Sequence, residues 1–287
     1  MIPLQAAETR QRVRTLTLQA EDARSVRALG KVNAIADTIS AVAPLQLQPI
    51  ARYYRAISLN RSGVGTPQSA AIFEALTECS LGTVRARAEL ALGSQAFIRG
   101  DHSLAHKHYA TAKVLFALTP DPIGSTHLNR MLAVLHGVRG NHQVALLELQ
   151  QTWKLAKTIR ANFQGELYSI LNSMSIELTA LGYASEALPL INAALASPYA
   201  ASHPEWIETK IDVERAAYRS SSVGMPRQMP RPVLDFCSRR QAKLDKLDYD
   251  QRCGYSDQII HGCIDRIVEK NDLPAADTQI ILRLLAR

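Results

Sequence analysis

The chain is poor in the residues that announce chemistry. Its four cysteines, Cys79, Cys237, Cys253 and Cys263, make no CxxC pair and no regular spacing. That argues against a disulfide framework and fits reduced packing thiols in a cytoplasmic protein. Aromatic residues are only 6% of the 287 positions, few for a sheet protein or for a surface that stacks bases. No segment approaches the ~18 uninterrupted apolar residues of a membrane span, and Met1 to Asp22 lacks the apolar stretch of a signal peptide. A soluble, cytoplasmic chain with no membrane contact is therefore expected. No GxSxG elbow, GxGxxG fingerprint, P-loop or kinase motif occurs. The chain is expected not to be an enzyme, and no cofactor or metal is expected.

What is present points to helices. Hydrophobic residues make up 47% and charged residues 21%, near the globular average, which excludes wholesale disorder. Ala and Leu together fill about a quarter of positions, a mix that favours an all-α protein. The excess of 33 Lys and Arg over 26 Asp and Glu gives +7 and favours acidic partners.

An internal repeat then organises the middle of the chain. Leu92-Gly93 is followed by Gly100, Ala105, Tyr109 and Ala112. Leu132-Ala133 is followed by Gly140, Ala145, Leu149 and Thr152. Met174-Ser175 is followed by Gly182, Ala187, Ile191 and Ala194. The pattern predicts pairs of antiparallel helices. Glycines 100, 140 and 182 sit where the first helix must end in a left-handed residue, and Asp101 and Asn141 are placed to cap the second helix. The small residues allow close approach, while Tyr109, Leu149 and Ile191 fill the space between helices. A single hairpin cannot bury its own apolar face, so neighbours must stack.

These three sets resemble the tetratricopeptide repeat (TPR) family. The aromatic that often opens a TPR is absent, with Glu89, Asn129 and Leu171 in its place, and Thr152 replaces a usual alanine. The glycines recur after 40 and 42 residues, a longer period than the usual ~34, similar to sensor arrays of bacterial regulators. The resemblance implies a right-handed superhelical stack of TPR-like hairpins acting as a protein–protein interaction adaptor or regulator. Its concave groove would bind a peptide or partner helix, and Arg87, Ser94, His127, Arg130, Ser169 and Asn172 are the candidate groove residues. Cationic and amide groups of this kind hold carboxylates and peptide backbone.

Upstream, Ala56, Gly63 and Ala71 form a degenerate fourth copy, with Thr66-Pro67 as N-cap and first helical residue. The stripe Val26, Leu29, Val32, Ile35, Ile39 and Val42 predicts a helix that stops before Pro44 and caps the array. Pro189 falls inside an expected helix, where it would cost ~3 kcal/mol unless that helix starts late or bends. The array is expected over residues 1–219, a flexible linker over 220–232 and a helical extension over 233–287. The stripes Ile259, Ile260, Cys263, Ile264, Ile267, Val268 and Ile280, Ile281, Leu284, Leu285 would cap the array, fill its groove or engage another chain.

Two histidine sets are weighed against metal binding. His102 and His106 share a helix face but lack further ligands and HExxH context, and Cys253, His261 and Cys263 match no zinc module. Arginines cluster near the start (Arg10, Arg12, Arg14, Arg24 and Arg27, with Lys31) and around the linker (Arg227, Arg231, Arg239 and Arg240, with Lys243). They define the alternative: a basic regulator contacting nucleic acid through its ends, with the array as a homo-oligomerisation platform.

Overall fold

The structure, a computed structural model, describes residues 2–60, 65–159 and 164–221. Among them are eleven α-helices and no strand. In chain order these are α1 (Ile2–Ser25), α2 (Leu29–Val42), α3 (Gln48–Leu59), α4 (Pro67–Leu76), α5 (Gly82–Ile98), α6 (His102–Leu118), α7 (Pro122–Val138), α8 (His142–Thr158), α9 (Gln164–Ala180), α10 (Ala184–Leu195) and α11 (Glu205–Ser221). None of these helices is long and apolar enough to cross a membrane. The expected extension and nearly all of the expected linker lie outside the described residues, as does Gly63. Ser220 and Ser221, placed in the linker by composition, instead continue α11.

Two compact units divide the described chain: residues up to Leu135 with Lys154–Leu167, and His136–Trp153 with residues from Tyr168 onward. In the first unit, sequential helices pack on one another along α1 to α6. One core runs through Val13, Ala20, Ile39, Tyr54 and Phe73. A second runs through Ala105, Tyr109, Phe116, Leu128 and Leu135. In the second unit α10 packs on α11, with Trp206 buried and stacked on the His203 ring at 4.4 Å.

The three repeat glycines make one and the same turn. Gly100, Gly140 and Gly182 have φ of +83°, +83° and +87°, and each is the left-handed residue of a Schellman cap. The following residue's N–H donates back across the turn from Asp101 to Ala96 O (3.0 Å), Asn141 to His136 O (3.0 Å) and Tyr183 to Leu178 O (2.8 Å). The glycine N–H donates to Phe97, Gly137 and Thr179 carbonyls respectively. Asp101 then caps α6 by accepting from Leu104 N at 2.9 Å. Ala105, Ala145 and Ala187 are fully buried, as are Tyr109, Leu149 and Ile191. Gly93 faces Tyr109 so closely that a Cβ there would sit 2.5 Å from a ring carbon.

Three details depart from expectation. In the degenerate copy Thr66 caps α4 and forms a capping box with Ser69, but Ala71 is exposed. Ser69, Phe73 and Leu76 are the buried residues, in the spacing of Ala105, Tyr109 and Ala112, so the fourth copy is offset by two positions. Pro189 lies six residues into α10, too deep for a late start to excuse it, because its missing N–H deprives the Ser185 carbonyl of a helical donor.

The third departure is at the N-terminus: Leu29, Val32, Ile35, Ile39 and Val42 lie on one helix, α2, which stops before Pro44 as expected, but Val26 falls in the turn ahead of it and a further helix, α1, precedes it. The chain reverses at Arg27 between α1 and α2. Arg27 has φ of +51°, the only described non-glycine residue at positive φ. The bonds Ala28 N to Ala23 O and Arg27 N to Arg24 O make this a fourth Schellman cap, with arginine where the other three have glycine. A left-handed L-residue costs about 1–2 kcal/mol. Arg27→Gly is therefore expected to stabilise the fold by about 1 kcal/mol, a rise of roughly 2–4 °C in Tm for a domain of this size. A thermal melt followed by circular dichroism checks it, and an unchanged or lower Tm would contradict the strain argument.

Candidate functional site

A buried chain of charges runs through the first unit. Arg87, in the second turn of α5, directs a two-pronged guanidinium at Asp121, the residue before α7, with Nη2 donating to Oδ1 at 3.1 Å and Nε to Oδ2. Its third nitrogen, Nη1, donates to Glu21 of α1 and to the Tyr54 hydroxyl of α3 at 3.0 Å. Tyr54 in turn donates to Glu21 Oε1 at 2.7 Å. Arg87 also lies over the Tyr53 ring, 5.9 Å from its centroid, a cation–π placement. Asp121 is held by its helix as well: its Oδ1 accepts from Gly124 N at 3.1 Å.

The chain continues along α7. Arg24 of α1 donates to Glu21 Oε2 at 3.1 Å and lies 3.3 Å from His127 Nε2. His127 Nδ1 is 3.2 Å from Glu166 Oε2, and Arg130 Nε donates to Glu166 Oε1. With a proton on Nδ1, Nε2 accepts from Arg24 while Nδ1 donates to Glu166, and Arg130 Nη2, 3.5 Å from Nδ1, is then left to the carboxylate side of the cluster. Glu166 stands in the first turn of α9, where the helix dipole also favours a carboxylate. Three guanidiniums (Arg24, Arg87 and Arg130) thus meet three carboxylates (Glu21, Asp121 and Glu166).

This arrangement sets the protonation states. Burial alone would raise the Glu21 pKa, but Arg87 and Arg24 with the Tyr54 hydroxyl outweigh it and bring it from the usual 4.5 to about 2. Glu166 is likewise held well below its usual range, burial being overcome by Arg130 and His127. Burial pulls the His127 pKa down, against the attraction of Glu166 and with the help of Arg24 and Arg130. The imidazole is therefore neutral at physiological pH and both glutamates are ionised.

Of the six candidate groove residues, three come together here: Arg87, His127 and Arg130. They are not open to solvent but already hold carboxylates. Ser94, two turns beyond Arg87 on α5, donates to Leu90 O at 2.9 Å and meets the Tyr109 hydroxyl at 3.5 Å. Ser169 and Asn172 belong to the second unit. Both are half-buried, and Asn172 Oδ1 is a buried acceptor without a hydrogen-bond partner. The partners Glu21, Tyr54, Asp121 and Glu166 carry no repeat signal. Only Asp121-Pro122 could have been read from the sequence, as a cap followed by proline.

Elsewhere, His102 packs against the Phe97 ring at 5.3 Å and His106 is exposed. Among the described residues no group of three or more His, Cys, Asp or Glu side chains is placed to hold a metal ion. The chain matches no family model, no curated protein and no solved structure.

Proposed function

We propose that the chain is a TPR-like, cytoplasmic protein–protein interaction adaptor or regulator, and that its ligand is a peptide or partner helix held on the first helices of its hairpins. Binding, not catalysis, is its task. One observation carries the reading: Arg87 on α5 and Arg130 on α7 hold carboxylates that other helices bring to them. Such guanidiniums, that of Arg87 backed by Tyr53 and Tyr54, suit recognition of acidic side chains on a docked helix.

Affinity purification of the full chain from its native cell, followed by mass spectrometry, supplies a partner to measure. Its affinity is expected to fall at least tenfold for Arg130→Gln and for Ser94→Arg, each with an unchanged circular dichroism spectrum. Full affinity in both variants would overturn the reading. The nucleic-acid alternative keeps one specific support, the exposure of Arg10, Arg12 and Arg14 on α1. It predicts that a labelled duplex binds at low salt and is lost steeply as salt rises. Absence of binding at low salt would remove it.

A further inference from the structure

The charge network is built from two parts that are each neutral. Glu21 and Arg24, three residues apart, both belong to α1 and pair with each other at 3.1 Å. The remainder, Arg87 with Asp121 and Arg130 with Glu166, belongs to α5, α7, α9 and the residue capping α7. If α1 leaves, no net charge is stranded in the interior, which removes the largest penalty against breaking a buried ion network. What stays behind is a set of donors, Arg87 Nη1 and the Tyr54 hydroxyl above all, that another carboxylate can satisfy.

The remaining hold on α1 is its packing on α2, where Leu16 is partly buried, and its fully buried apolar area is small. Among residues 5–25 only Val13, Ala20, Glu21 and Ala23 are buried, and two of the three apolar ones are alanines, which contribute little buried area. The turn that joins α1 to the rest is the strained one, with Arg27 at φ of +51°. Undocking α1 would relax it.

From these observations, and resting on the adaptor reading above, we infer that the face formed by side chains of α3, α5 and α7 is a receptor for a helix presenting a glutamate and an arginine three residues apart, each preceded by an alanine, and that α1 occupies it as the chain's own copy of that ligand. Tethering gives α1 a high effective concentration, so an incoming helix competes with it and the apparent affinity is reduced by the fraction of chains in which α1 has opened. The partner is thus recognised by the pattern of Ala20-Glu21-Asp22-Ala23-Arg24, and α1 sets the threshold at which it binds.

The test uses full-length chains and a fluorescein-labelled synthetic peptide of residues 5–28, with binding read by fluorescence anisotropy. Glu21→Gln weakens the self-contact, so this chain is expected to bind the peptide at least tenfold more tightly than the wild type. Arg27→Gly relieves the turn in the closed form and is expected to bind about fivefold more weakly. Because that variant gains stability, it keeps the test decisive even if Glu21→Gln folds poorly. A peptide carrying glutamine in place of Glu21 should lose binding.

Equal affinity in all three chains, still lost with the glutamine peptide, would overturn the self-occupancy of the face and leave the adaptor reading standing. No binding to any chain would overturn this inference, while the adaptor reading would stand or fall with the Arg130→Gln and Ser94→Arg measurements. A concentration-dependent doubling of mass in Glu21→Gln, showing α1 exchanged between two copies, would replace the separate partner with a second copy of this chain.

Discussion

Replacing Arg87 with methionine is expected to cost about 3–5 kcal/mol, the penalty for leaving buried carboxylates without their cation. The side chains involved are 11% exposed for Arg87, 10% for Asp121 and 2% for Glu21, so water cannot take over the lost bonds. Urea unfolding at neutral pH measures the loss. Glu21→Gln added to Arg87→Met is expected to recover part of it, because one of the two stranded anions becomes neutral, and the resulting double-mutant cycle should give a coupling above 1 kcal/mol. Arg55→Met is the control. Its partner Asp37 lies at 2.6 Å, but the two side chains are 45% and 56% exposed, and an exposed pair contributes about 0–1 kcal/mol. Equal losses at Arg87 and Arg55 would refute the buried network.

The same network should make the protein acid-labile over a defined range. Glu21 titrates near 2 when folded and near 4.5 otherwise, so its stabilisation is whole above 4.5 and disappears as pH falls toward 2. By linkage this is on the order of 2 kcal/mol lost by pH 3. Glu166, also depressed, acts in the same direction. His127 starts the decline earlier: its pKa is lowered from 6.5 in the fold, so below that value the unfolded chain takes up the proton more readily and stability drops. Glu177, whose pKa burial raises, works against the trend, since the folded state then binds the proton more tightly than the unfolded one. Stability measured by urea unfolding from pH 8 to pH 3 should fall first near pH 6 and more steeply below 4.5. His127→Gln should flatten the upper part of the curve and leave the lower part. A wild-type profile that is flat from 7 to 4 would contradict the assigned states.

How much of this could be read in advance differs between fold and site. The turns could be, because a left-handed residue after a helix is nearly a glycine property. Gly100, Gly140 and Gly182 each satisfy it with the same pair of backbone bonds. The burial of Ala105, Ala145 and Ala187 followed from the same register. Where the local signal was weaker, the register slipped: Ala71 matched the pattern, yet Ser69 and Phe73 took the buried positions. Arg27 broke the glycine rule altogether, and with it went any sign of the reversal that creates α1.

The site was legible only as a set of cations. Arg87, His127 and Arg130 were placed by the resemblance to TPR arrays, as ligand-facing positions on first helices, and helical spacing itself reports only neighbours three or four residues away. Their partners are 66 and 34 residues from Arg87, 39 from His127 and 36 from Arg130. Nothing periodic in the chain points to Glu21 or Glu166.

The sequence by itself determined where the helices before Gly100, Gly140 and Gly182 stop and which residues after them are small and buried, because backbone conformation and amphipathic spacing are local properties. Only the tertiary structure decided that α1, packed on α2, sends Glu21 and Arg24 to side chains of α3, α5 and α7, and that three arginines share three carboxylates there. Charges select partners through space, by burial and distance, and no local pattern encodes which distant residue the folded chain brings within reach.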